Sequence, residues 1–273
     1  MRVEVGVGCV GKFNELSIML WSLMCQTYTD WDLTIIDETI NHPNYPDVTG
    51  VGHILKIMEE KGHQWRIFYG EAKGFHFAQT IVLNTSRHPL TWILGEDVAF
   101  EPNCMAELVK QFEDSKVGIV SGLLFLAGDK FRTTLPDFWN EIKEYSGKIH
   151  FVEGSIGYGN QVQYSIHLDE SPKEVEHLIG NMMYRTELGR RWGFNLDLSY
   201  AARTADNDFS YQFYLAGYKV LVVPTSVTWH LETHQYGGLK KSSEEYSKLC
   251  NDDRRKFEER LLRWGKISTR FNV

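Results

Sequence analysis

The sequence is short of cysteine, of long apolar runs and of positive charge, and each shortage closes off a class of protein. Its four cysteines, Cys9, Cys25, Cys104 and Cys250, show no CxxC spacing. Two of them sit in apolar patterns where cysteine behaves as a small hydrophobe, so all four are read as reduced thiols. No stretch reaches the ~18 consecutive apolar residues of a spanning helix, and the opening MRVEVGVG has no signal-peptide core followed by a small-residue cleavage site. A soluble, cytoplasmic protein is expected. Lysine and arginine number 29 against 36 aspartates and glutamates, a net charge of −7 with pI near 5.8. That balance argues against a general polyanion-binding surface and against non-specific nucleic-acid binding, while leaving room for a local basic cleft around a diphosphate. There is no internal repeat and no low-complexity tract.

What is present is the material of a large α/β domain: 273 residues with 42% apolar content. Residues 2 to 9 alternate Val3, Val5, Val7 and Cys9 as a strand. Asn14, a good N-cap, then opens a helix in which Leu16, Met19, Leu20, Leu23 and Met24 recur at helical spacing. A second strand, LTIIDET (33 to 39), ends in Asp37 and Glu38. A helix near 51 to 61, a strand at 65 to 70 and a helix over 74 to 86 follow. Strands interleaved with helices imply a mostly parallel sheet. Beyond it, 127 to 179 is irregular and is read as an insert over the sheet. Residues 204 to 230 read as a capped helix ended by Gly217, a strand at 220 to 223, Pro224 and a further extended piece. Residues 240 to 264 are charged, amphipathic C-terminal helices.

The stretch GVGCVGKF (6 to 13) satisfies two short glycine patterns. As GxGxxG after a strand it points to a dinucleotide fold and an NAD-type oxidoreductase, with Asp37 as a ribose acid. In that fold the helix starts within the glycines, whereas here the apolar repeat starts at about Asn14. As GxxxxGK it points to a P-loop, but Phe13 lacks the hydroxyl that such a loop offers to Mg²⁺.

The chain is organised around WILGEDVAFEPN (92 to 103), where an apolar run stops at Gly95 and two acids, Glu96 and Asp97, follow. A buried strand that delivers carboxylates to its carboxyl end is a seat for a hard divalent cation, which takes oxygen ligands and bridges to phosphate. The alternative is a solvated turn carrying negative charge toward the next helix.

Three stretches in order carry a family resemblance. SIMLWSLMCQTYTDWDLTIIDET (17 to 39) resembles the opening of family-two-type glycosyltransferases. ILGEDVAFEPN resembles their DxD region, and ADNDFSYQFYLAGYKVLVVPTSVTWH resembles their EDxDLSxRxxxAGYKV segment. The resemblance covers roughly residues 1 to 232 and implies the GT-A nucleotide-diphospho-sugar transferase fold, with a mostly parallel central sheet flanked by helices, as a domain over 1 to 235 and a helical appendage over 236 to 273. It implies a nucleotide-diphosphate sugar donor, an acceptor hydroxyl, and Mn²⁺ or Mg²⁺. By position, Asp37 falls beside the base or ribose, Glu96 and Asp97 match the middle and last DxD positions, Asp206 matches the base of inverting members, Asp208 is the next acid of that motif, and His230 falls where relatives place a histidine near the metal. The expected sites are therefore Asp206 and Asp208 as catalytic, Asp37, Glu38, Gly74, Glu96 and Asp97 as donor-binding, and Asp97 with His230 as metal ligands. Glycosyl transfer develops an oxocarbenium-like centre while a diphosphate leaves, which calls for a cation at the leaving group and a base at the acceptor.

Each residue has a plainer reading beside it. Asp206 precedes a helical run and can serve as its N-cap, His230 can be a satisfied strand-end histidine with His234 in its place, and Asp37 can cap a turn. The pattern is also broken. The first DxD acid is Gly95, the glutamate before the base is Ala205, and Ala78, Gln79 and Thr80 stand where an arginine for the diphosphate is expected. Lys73, Arg185 and Arg203 are the replacements considered. A catalytically silent nucleotide-sugar-binding protein is the alternative that these losses motivate. Trp139, Tyr158 and Trp192 are aromatic surfaces for an acceptor of unknown class (glycan, lipid, protein or modified nucleobase), or core rings.

Overall fold

The computed structural model describes residues 1–39, 41–71, 73–126, 171–178, 180–202, 204–231 and 243–264. Most of the expected 127 to 179 insert, with Trp139 and Tyr158, lies outside the described residues, as do Arg203 and His234. The first strand, β1 (Val3–Cys9), explains the early glycines. Val3, Val5, Val7 and Cys9 point to one face, where they pack with Leu16, Met19, Leu20 and Leu23 of helix α1 (Phe13–Met24) and with helices α2 (Val51–Glu60) and α4 (Cys104–Gln111). The alternate positions Gly6 and Gly8 face helix α3 (Phe75–Thr85). A Cβ on Gly6 would stand 2.3 Å from Val82 Cγ1, so the glycines let this helix lie close on the sheet.

Strands β2 (Trp31–Asp37), β3 (Trp65–Tyr69) and β4 (Leu90–Gly95) pair in the parallel order β3-β2-β1-β4. Strands covered on both faces read as unbroken apolar runs, which is why β2 and β4 stood out in the sequence. Past β4 the sheet becomes mixed. Strand β8 (Met182–Arg185) runs antiparallel between β4 and β6 (Val117–Leu126), and β9 (Lys219–His230) runs parallel to β6. The other edge of β9 carries β5 (Val98–Phe100) and β7 (Lys173–Glu174), both antiparallel, which completes nine strands among the described residues. The piece before Pro224 and the piece after it are one strand, with a register shift opposite Gly122 and Leu123.

The second face of the sheet is covered by α3, α5 (Thr186–Trp192) and α6 (Ala205–Leu215). Phe209 and Phe213 of α6 pack on Ile93, Ile119, Val220 and Val222. Trp192 belongs to this core, edge-on to Phe213 with centroids 4.7 Å apart. Among the described residues the C-terminal region holds one helix, α7 (Ser243–Arg263), whose Phe257 and Leu261 pack on Tyr211 of α6. Among the described residues no helix is long and apolar enough to cross a membrane.

Helix α1 begins at Phe13, one residue ahead of the N-cap expected at Asn14. Lys12 occupies the cap position, and its carbonyl accepts the Leu16 N–H at 2.9 Å.

Candidate donor site at the strand order reversal

The chain lays down β1, β2 and β3 in one direction and then places β4 on the other side of β1. Loops leaving two such strands diverge, and open α/β sheets hold ligands in the crevice between them. Here those loops are Val10–Lys12 after β1 and Gly95–Asp97 after β4. Glu96 joins them. Its carboxylate accepts the Cys9 thiol at 2.7 Å, the Val10 N–H at 3.0 Å and the Lys12 N–H at 3.1 Å. It is 3% exposed; burial raises its pKa, while the same three donors pull the other way. Burial and the neighbouring Glu96 charge raise the Cys9 pKa, which keeps this sulfur in its protonated thiol form. Glu96 therefore acts on the crevice through the loop that it holds.

Asp97, the next residue, faces two partners. Lys12 Nζ lies 2.6 Å from Oδ2, and His230 Nε2, from the end of β9, lies 3.6 Å from Oδ1. The Asp97 backbone carbonyl accepts the Leu231 N–H at 2.8 Å, which fixes the β9 terminus against the β4–β5 turn. Gly95 precedes this pair, and a Cβ there would stand 3.0 Å from Asp97 Oδ1.

Asp37 ends β2 in register with Cys9. It is fully buried and caps its own turn, accepting the Thr39 N–H at 2.9 Å and the Thr39 hydroxyl at 2.6 Å, with His42 Nδ1 at 3.1 Å. The His42 ring stands 4.8 Å from Tyr69, which is 59% exposed. Glu38, also buried, lies against Gly70 at the end of β3. Gly74, with φ +101, carries the backbone of Tyr200 on its α face: a Cβ there would fall 2.5 Å from the Tyr200 carbonyl oxygen. Only glycine fits that approach.

Asp206, in the first turn of α6, accepts the Gly180 N–H at 2.9 Å. Gly180 and Asn181 both have positive φ, +58 and +43, and turn the chain into β8. Left-handed backbone at a non-glycine residue is a conformation that the surroundings must enforce. The Asn181 carbonyl accepts Trp92 Nε1 at 3.1 Å, and its side-chain nitrogen is buried without a hydrogen-bond partner among the described residues. Because β8 is antiparallel to β4, its start lies at the carboxyl edge of the parallel strands. Asp37, Asp97, His230 and Asp206, scattered over the sequence, are thus brought to one edge of one sheet.

Asp208 is not brought there. Its side chain is fully buried, accepting Asn195 Nδ2 at 2.9 Å and pairing with Arg260 of α7 at 3.2 Å. Burial raises its pKa to about 6 against the opposing pull of Arg260 and Asn195. Of the three candidate diphosphate cations, Arg203 lies outside the described residues and the other two are engaged elsewhere. Arg185 donates to the carbonyls of Val117, Phe112 and Asp114, and Lys73, half exposed, pairs with Glu71. Among the described residues the cation beside Asp97 is Lys12, whose signal in the sequence is the GxxxxGK pattern.

Among the described residues no three His, Cys, Asp or Glu side chains converge as a metal site. Asp97 and His230 supply two ligands, and His230 Nδ1 is buried with no hydrogen-bond partner among the described residues. Such a pair fits a divalent ion whose remaining positions come from substrate phosphate and water, the usual habit of Mg²⁺.

The architecture is the GT-A fold of nucleotide-sugar glycosyltransferases. No family model and no curated protein matches the sequence. Three solved structures share the fold. S. aureus TarS 1-349, in complex with UDP-GlcNAc, superposes with a TM-score of 0.61 at 12% identity, over 91% of this chain and 64% of that one. GalNAc-T7 with UDP, GalNAc and Mn²⁺ gives 0.66 at 14%, over 93% and 49%. The mannosyltransferase PcManGT from Pyrobaculum calidifontis, with GDP-Man and Mn²⁺, gives 0.58 at 15%, over 96% and 64%. The chain therefore spans under two thirds of the length of each of these structures.

Proposed function

We propose that this chain transfers a sugar from a nucleoside-diphosphate donor to an acceptor hydroxyl, with inversion, and that Asp206 is the base. The observation that carries the reading is the gathering of Asp37, Lys12 with Asp97, His230 and Asp206 at the carboxyl edge around the β1/β4 reversal. The shared fold with proteins bound to UDP-GlcNAc, UDP or GDP-Man supports the same reading.

In this reading the nucleoside lies over the end of β2, where Asp37 orders the Thr39 turn and Tyr69 offers an exposed ring. The diphosphate lies over the β1–α1 loop, which Glu96 holds in place. A divalent ion bound by Asp97 and His230 would neutralise charge on the departing diphosphate. Asp206 accepts the acceptor's proton as the new glycosidic bond forms, while the bond from the sugar to the β-phosphate oxygen breaks and the nucleoside diphosphate leaves. The Gly180 N–H fixes the orientation of that carboxylate.

The test is turnover with a panel of nucleotide sugars, read as hydrolysis or transfer, on the unmodified chain and on Asp206→Asn. Loss of roughly 10²–10⁴-fold in turnover, with donor binding retained, supports the assignment; unchanged turnover removes Asp206 from the reaction. Donor binding with no turnover on any acceptor favours the silent binding protein suggested by Gly95 and Ala205. The oxidoreductase reading has lost its basis, since Gly6 and Gly8 are taken up by α3 and the following helix starts beyond them.

A further inference from the structure

We infer that Lys12 is a diphosphate-binding residue, and that its ammonium lets the site hold a nucleoside diphosphate without a divalent ion. This rests on the donor-site reading above and deepens it. The chain carries a net charge of −7, and an Asp97 carboxylate without a counter-charge would repel a diphosphate at the crevice. Lys12 cancels that charge, with Nζ 2.6 Å from Asp97 Oδ2 and the two side chains only 16% and 14% exposed.

The placement is fixed from both ends. The Lys12 N–H is held by Glu96, its carbonyl starts α1, and its ammonium reaches across the crevice to Asp97. An ammonium has three N–H donors. One meets Asp97, and among the described residues the other two have no acceptor, which leaves them for phosphate oxygens. The other cations that the sequence offered within the described residues, Lys73 and Arg185, are paired away from it. A divalent ion at Asp97 would share that carboxylate with the ammonium, since one oxygen faces Lys12 and the other faces His230. Lysine and metal thus duplicate one charge, and removing the lysine throws the whole demand onto the metal.

The experiment is calorimetric titration of UDP and of GDP into the full chain, with EDTA and separately with Mn²⁺, for the unmodified protein, Lys12→Met and Lys12→Gln. Folding of each variant is checked by circular dichroism, and Lys12→Arg tests rescue by charge. The expected result is binding of one nucleotide in EDTA within about threefold of its affinity in Mn²⁺. Lys12→Met should lose at least about tenfold in EDTA, the scale of one charge-assisted hydrogen bond, and clearly less in Mn²⁺. Lys12→Arg should recover part of the loss. If the unmodified chain binds only with Mn²⁺, or if the methionine and glutamine variants bind as it does in EDTA, the inference is wrong while the donor site stands. If neither nucleotide binds under either condition, the donor-site reading fails and takes this inference with it.

Discussion

Adjacent acids at the crevice divide their work by where their atoms reach. Glu96 spends its carboxylate on three donors of the β1–α1 loop, whereas Asp97 presents both oxygens to side chains that can exchange partners. Replacing Glu96 with alanine leaves the Val10 and Lys12 N–H groups without their acceptor, and a buried donor left unmet costs about 1–3 kcal/mol. We expect Glu96→Ala to lose on the order of 2–3 kcal/mol in urea unfolding, at the lower part of what two such donors would add up to. Nucleotide affinity should fall with it. Asp206 and Asp208 show the same division on a helix. Residues two apart lie on different faces, so one reaches the Gly180 turn while the other is buried under α7. The acid motif could be read in the sequence, but the faces could not, because which side α7 covers is decided by packing some fifty residues later in the chain.

Between elements, the close contacts are few and testable. Gly6 admits Val82 of α3 so closely that a methyl at position 6 would overlap it. Overpacking of this kind costs about 1–3 kcal/mol; Gly6→Ala should lose that much in chemical denaturation, and Val82→Ala in the same chain should return part of it. The α6–α7 contact has a pH signature. Asp208 has a folded pKa of about 6, above the ordinary ~3.9 of an aspartate. The folded state therefore holds the extra proton, and the stability linked to it is full below about pH 4 and is lost as pH rises through about 6. Melting temperatures of the unmodified chain relative to Asp208→Asn should fall over that window and level off above it. Strands β2 and β4 were legible because burial on both faces gives continuous apolar runs leading into acids, and β1 through its alternating valines. Strand direction beyond β4 was not legible, since β8 is four residues whose antiparallel pairing is set by β4 and β6 rather than by its own pattern.

At the scale of the molecule, residues spread from Lys12 to His230 reach one edge of the sheet because the parallel strands end on that side and β8, inserted antiparallel between β4 and β6, begins there. A ligand confined to the folded state raises its stability by mass action. UDP or GDP at 100 times its Kd should therefore stabilise the chain by about 2.7 kcal/mol, visible as a rise in melting temperature that NAD does not produce. The order of the three family-like stretches was enough to anticipate the fold. Lys12 was harder to recognise, because a lysine following a glycine says nothing about which carboxylate lies across the crevice.

The glycine at position 95 leaves Asp97 room to face two partners at once. A side chain placed there would press within 3.0 Å on Asp97 Oδ1, and that carboxylate would shift against the histidine or the lysine. Installing an acid at this position to build a fuller carboxylate cluster will therefore need a compensating change beside it.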